Sequence, residues 1–270
     1  MGDEPQPPPT SGSGSYPNEP AGLSTIASVD FTNGINAQIG ACTEHSSESK
    51  RANSEYINDS SAPTGDGFVF RGKFPSGWVD GGAPWRFDCW GPGMSEGGGA
   101  YQYDEIYISL WLKIEGSDYE NQSVGTKVFY VAYGTDLRHN DAYFMLDGAG
   151  SQATQSSARL RARLSTQDDN GDTSAMSVTP NLSGEHVRVG EWTRVEVRMK
   201  INDIGSSNGK LDMWVNGTHT TSIDNWLYRS AISPRAFYHL QFTPVYGGNS
   251  GDIRTRDDYW RVDDLYISGR

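Results

Sequence analysis

The chain predicts an all-β fold, an antiparallel two-sheet β-sandwich, and three observations carry that prediction. Apolar and polar residues alternate in short segments along most of its length. Glycine is abundant, at 32 of 270 residues, and aromatic residues reach 11%, a mix that favours strands and turns. Gly, Asn, Asp and Pro punctuate the segments as turn signals do in all-β domains. A sandwich of this length is expected to be one domain.

Residues 1–20 are rich in Pro, Gly, Ser and acidic residues and cannot bury a core, so they read as a disordered linker or tether. Residues 21–270 read as the single folded domain. Ser28-Val-Asp-Phe-Thr-Asn-Gly34 is a first strand running into a turn, and the polar stretch 40–65 is a long loop pinned by Cys42. Residues 68–74 alternate as a strand. Residues 75–100 hold Trp78, Trp85 and Trp90 among many glycines and read as an ordered, irregular loop. Strands follow over 105–114, 126–133, 142–146 and 158–164, then over 192–202, 209–217, 237–246 and 262–268. Asn225-Trp-Leu-Tyr228 is expected to form one helical turn.

The formal net charge is −12. Nucleic acid is excluded as a partner, because no domain-wide basic excess exists to meet phosphates. No apolar run approaches the roughly 20 residues of a membrane-spanning helix. Cys42 and Cys89 form no Cys-x-x-Cys pattern, which argues against zinc and dithiol redox chemistry. They are expected to form one disulfide in a secreted protein. The Pro-rich start reads as the mature end of an extracellular or periplasmic chain, tethered to the surface by a lipid anchor or a further module upstream. A monomer is expected.

The C-terminal third carries Trp192-Thr-Arg-Val-Glu-Val-Arg-Met-Lys-Ile-Asn202, then Gly209-Lys-Leu-Asp-Met-Trp-Val-Asn-Gly217, then Tyr246-Gly-Gly, and closes on Val262-Asp-Asp-Leu-Tyr-Ile-Ser268. In this order the segments resemble concanavalin A-like jelly rolls. More narrowly, they resemble the jelly-roll polysaccharide lyases that cut glucuronan, alginate or heparin-like chains. The resemblance covers about residues 105–270 and is weaker over 23–100. The chain departs from related patterns. It lacks the Glu-x-Asp-x-x-Glu of laminarinase-type glycosidases, which removes the paired carboxylates of retaining hydrolysis. It also lacks the Gln-x-His and Tyr-Phe-Lys-x-Gly strands of a major alginate lyase family, although Arg194-Val-Glu-Val-Arg198 has the spacing of that family's Arg-x-Glu-x-Arg.

Strand alternation assigns faces. Arg159, Arg161 and Arg163 share one face opposite Leu160, Ala162 and Leu164. Such a basic stripe suits the carboxylates of an acidic glycan, which guanidinium groups bind bidentately. Lys127 and Tyr133 share a face with Phe129 and Val131, and His239 and Gln241 share a face opposite Tyr238 and Leu240. Arg71 lies with Val69 and Lys73. Uronate β-elimination needs a base for the C5 proton, a partner for the adjacent carboxylate and an acid for the leaving oxygen. Tyr246 and His239 are the candidates for base and acid, and Gln241 and Arg71 for the carboxylate partner. Arg159, Arg161, Arg163, Lys127, Tyr133, His139 and Trp214 are candidate substrate contacts, Trp214 as a stacking platform. No cofactor is expected for catalysis. Jelly-roll carbohydrate domains imply a structural Ca²⁺ between first and last strands, with Asp30 and Asp264 as oxygen ligands and Asp263 beside them. The sequence thus points to a secreted polysaccharide lyase for an acidic, uronate-containing polysaccharide, with a non-catalytic glycan-binding module as the alternative.

Overall fold

A computed structural model describes residues 16–35, 39–44, 47–64, 67–90, 103–133, 141–167, 173–229, 236–248 and 250–270. In chain order the strands begin with β1 (Ser24–Val29), β2 (Ala41–Glu44), β3 (Ser54–Asn58), β4 (Phe68–Phe74), β5 (Phe87–Trp90), β6 (Glu105–Ile114) and β7 (Tyr119–Asn121). They continue with β8 (Gly125–Tyr133), β9 (Asp141–Asp147), β10 (Ala153–Gln155), β11 (Ser157–Gln167), β12 (Thr173–Val178) and β13 (His186–Arg188). The last are β14 (Thr193–Lys200), β15 (Gly209–Val215), β16 (Thr218–Trp226), β17 (Phe237–Phe242), β18 (Val245–Tyr246) and β19 (Asp258–Gly269). A one-turn helix, α1, spans Glu48–Arg51.

The strands form two large antiparallel sheets packed as a sandwich, so the predicted fold class is observed. The back sheet runs β16-β15-β14-β6-β19-β4-β3, with β1 beside β19. The front sheet runs β12-β11-β9-β8-β17-β5-β2, with β13 beside β11 and β18 beside β8. Their inner faces make the core. β6 contributes Ile106, Ile108, Leu110, Leu112 and Ile114, while β9 and β11 contribute Phe144, Leu146, Leu160 and Leu164. Each such side chain stabilises the fold by about 1.5–3 kcal/mol when fully buried. Trp85 joins the two sheets by stacking on Phe242 at 5.6 Å. Its indole lies so close to Gly72 that a Cβ there would overlap the ring, which is why β4 carries a glycine in mid-strand.

The segments without clear periodicity hold more structure than the sequence predicts. The stretch 40–65 contains β2, α1 and β3 rather than one loop. β3 escapes detection because it is an edge strand with no fully buried residue, so it shows no apolar alternation. The loop expected over 75–100 contains β5. The first strand ends at Val29, before Asp30, and in place of the helical turn expected at 225–228, Asn225 and Trp226 end β16 and Leu227 and Tyr228 follow it without helix. Cys42 and Cys89 face each other across β2 and β5 and form the expected disulfide. Residues 16–22, which adjoin the Pro-rich stretch, pack on the back sheet. Tyr16 stacks on Tyr266 at 3.7 Å, and Asn18 Nδ2 donates to Glu196 at 3.0 Å. No helix among the described residues is long and apolar enough to cross a membrane.

Three bulges reset alternation where it matters. Register shifts occur between Lys127 and Phe129 in β8, between Phe237 and His239 in β17, and between Asp263 and Tyr266 in β19. A bulge adds one residue on one strand, so the side chains beyond it exchange faces relative to simple alternation.

Candidate active site

The outer face of the front sheet gathers polar side chains by strand register. Gln241 of β17 lies opposite Tyr130 of β8, Tyr130 opposite Tyr143 of β9, and Tyr143 opposite Arg163 of β11. Four adjacent strands place this row across about 14 Å. In the next outward row Lys127, Met145 and Arg161 are partners. The Tyr130 and Tyr143 rings stand 5.5 Å apart. Lys127 Nζ lies 5.4 Å from the centre of the Tyr143 ring and Arg163 lies 5.6 Å from it, both within cation–π range. The β8 bulge makes this possible. It turns Lys127 and Tyr130 outward while Phe129, Val131 and Tyr133 enter the core.

A chain of contacts holds Gln241. Arg86 Nε binds both oxygens of Asp88, at 2.9 and 2.8 Å. Asp88 Oδ1 lies 3.3 Å from His239 Nε2, and His239 Nδ1 lies 3.4 Å from Gln241 Nε2. The Asp88 and His239 side chains are buried, while Gln241 is half-exposed. His239 therefore orients Gln241 from behind, and the amide meets solvent.

Among the described residues this face holds more cations than carboxylates. Arg86, Lys127, Arg159, Arg161 and Arg163 stand there against the carboxylates of Asp88 and Asp147. Asp147 alone serves two guanidinium groups, Arg161 at 2.8 Å and Arg159 at 3.4 Å. All three arginines of β11 point outward, as alternation predicts, since Ala158, Leu160, Ala162 and Leu164 are core residues.

The structure brings His239, Gln241, Lys127, Arg159, Arg161 and Arg163 onto this face, and it places other candidates elsewhere. Tyr246 is fully buried in the core, 4.8 Å beneath Arg254, and burial followed by the Glu120 charge pushes its phenol up. Arg71 belongs to the back sheet, where it pairs with Glu55 and Glu115 and stacks on Tyr259. Tyr133 lies in the core against Tyr228 because the β8 bulge turns it inward. Trp214 stands on the outer face of the back sheet, stacked on His219 at 4.7 Å. His139 lies outside the described residues. Asp30 and Asp264 each adjoin the Val29–Leu265 pair that ends the β1–β19 register. Each already accepts a protein donor, Asp30 from the Thr32 amide and Asp264 from the Tyr16 hydroxyl. Among the described residues no three His, Cys, Asp or Glu side chains form a metal-binding group. No step below uses a metal.

Sequence reasoning passed over Tyr130, Tyr143, Asp88 and Asp147. Alternation in Ala142-Tyr-Phe-Met-Leu146 already turns Tyr143 away from the core, but only the register shows that Arg163 lies beside it.

Comparison with known proteins agrees with this architecture. The family model for polysaccharide lyase 14 matches residues 154–261, a span that begins in β10, just before the β11 arginine strand, and includes His239 and Gln241. No curated protein sequence matches the chain. Among solved structures, a polysaccharide lyase family 14 alginate lyase from Aplysia kurodai has a TM-score of 0.64 at 10% identity, covering 92% of this chain and 100% of that one. An alginate lyase from Chlorella virus gives 0.61 at 12% identity, with coverage of 92% and 100%. The endo-β-1,4-glucuronan lyase of the fungus Trichoderma reesei gives 0.59 at 11% identity, with coverage of 84% and 90%. At such identities the structural likeness establishes the fold. The chain is therefore similar to the jelly-roll polysaccharide lyases, to family 14 by sequence over residues 154–261 and to alginate and glucuronan lyases by fold over most of its length.

Proposed function

We propose that this protein is a polysaccharide lyase that cleaves an acidic, uronate-containing polysaccharide by β-elimination on the outer face of the front sheet. One observation carries the reading: in a chain of net charge −12, this face concentrates cations around a row of tyrosines. The family 14 match and the lyase neighbours support the reaction class. The disulfide supports action outside the cell, where such bonds persist.

In the reaction a base takes the C5 proton beside the uronate carboxylate. The electron pair released forms the C4=C5 double bond, the bond from C4 to the glycosidic oxygen breaks, and that oxygen takes a proton from an acid. Tyr143 is the proton-transfer group in this reading, because its phenol stands between Lys127 and Arg163. Gln241, oriented by His239, and the arginines of β11 are the partners for the carboxylate, whose negative charge grows as the proton leaves. His239 acts through Gln241 and is a positioning residue.

The test is incubation with glucuronan, polymannuronate and polyguluronate while following the ultraviolet absorbance of unsaturated uronate. Product from one of them supports the reading. Binding without product favours a glycan-binding module, and neither binding nor product removes the reading.

A further inference from the structure

We propose that the front face carries a second anion subsite, at the edge where β13 pairs with β11, and that Arg188 and His186 there hold a carboxylate of another uronate of the same polymer. The inference rests on reading the front face as a polyuronate cleft.

The edge of the sheet changes partner along β11. Residues Ala162–Gln167 pair with β12, but Ser157, Ala158 and Arg159 pair with β13. In that pairing Arg159 lies opposite His186 and Ser157 opposite Arg188. Val187, between them, is fully buried in the core. His186 and Arg188 therefore emerge on the same outer face as Arg159, Arg161 and Arg163. Four cations now follow one strand edge, Arg163, Arg161, Arg159 and Arg188, and successive outward positions on a strand are about 6.8 Å apart. This is a line leading away from Tyr143, not an isolated patch.

The end of the line is open. A cavity of about 610 Å³ is lined there by Ser157, Glu185, His186, Arg188 and Glu191, among others. Ser157 Oγ lies 3.3 Å from His186 Nδ1, which fixes the ring and leaves Nε2 for a ligand. Arg159 is half exposed and touches Asp147 only at 3.4 Å. The mixed lining suits a uronate better than a simple anion. Arg188 and His186 meet its carboxylate, and Glu185 and Glu191 can accept hydrogen bonds from its hydroxyls.

The experiment is affinity electrophoresis of the whole chain in gels containing glucuronan or alginate, with turnover measured on the same polymers. The variants are Arg188→Ala, Arg188→Glu and His186→Ala, with Lys210→Ala on the back sheet as control. We expect Arg188→Ala to weaken retention about fivefold and Arg188→Glu to weaken it further, while Lys210→Ala matches the wild type. If the polymer is cleaved but both Arg188 variants are retained like the wild type, the subsite is overturned and the lyase reading stands. Retention that falls with Arg188→Glu, without unsaturated product from any polymer, keeps the subsite and removes the lyase reading. Absence of retention and of product overturns both.

Discussion

The two outer faces of this sandwich use the same residue types to opposite ends. On the back sheet the cations are matched in number by carboxylates. Arg71 binds Glu55 and Glu115, Arg261 binds Glu115 and Asp59, Arg198 binds Glu105, and Lys210 binds Asp224, all at 3.0 Å or less. On the front sheet Arg159 and Arg161 share one carboxylate, and Lys127 and Arg163 lean on a tyrosine ring. Among the described residues the back face matches its cations with carboxylates, and the front face holds more cations than carboxylates. The number of arginines does not distinguish a binding face from a structural one. What distinguishes them is how many carboxylates the fold supplies to each.

The comparison breaks first if chemistry does not follow the front face. Tyr143→Phe should lower the rate of unsaturated product formation by about 10²-fold or more, the usual scale for losing a proton-transfer group, with an unchanged thermal midpoint. A smaller loss follows behind the face. Asp88→Asn frees His239 and through it Gln241, so kcat should fall about tenfold with KM little changed. A rise in KM alone would show that Asp88 only shapes binding.

On the back face the expected effect is on stability. Glu115→Gln leaves Arg71 and Arg261 short of a counter-ion and should cost about 2 kcal/mol in denaturant unfolding, with turnover kept. Burial raises Asp59 and Glu115, but hydrogen bonds outweigh it: Ser61 and Arg261 hold Asp59 at about 2, and Arg71 and Arg261 hold Glu115 below its usual value. Both folded values are depressed. Their stabilisation is therefore complete above the unfolded values near 4 and is lost as pH falls toward about 2. Unfolding midpoints measured from pH 6 downward should drop below about pH 4, and less steeply in Glu115→Gln. The smallest effect sharpens the contrast itself. Asp147→Asn removes the carboxylate that Arg159 and Arg161 share and should tighten polymer binding a few-fold, with a steeper loss on adding salt.

The sandwich was legible because core strands such as β6, β11 and β14 alternate over seven or more residues, and alternation is a local property. β3 and β13 were not, since an edge strand needs few apolar residues. The β11 arginines could be assigned a face for the same reason as the core strands. Tyr133 and Tyr246 could not. Counting by two fails across the β8 bulge, and burial of Tyr246 beneath Arg254 depends on residues distant in the chain. Arg71 shows the remaining gap: alternation says which side of a strand a residue takes, not which sheet the strand joins.

The extra residue at Val128 has a consequence for reading related chains. In a regular strand two side chains share a face only at even spacing, yet Lys127 and Tyr130, three apart, both point outward. A chain that builds the same face on a straight strand would carry Lys-x-Tyr where this one has Lys-Val-Phe-Tyr. Aligning the two correctly requires a one-residue gap in the middle of a strand, where gaps are ordinarily penalised. Equivalent residues would be missed by any alignment that forbids it.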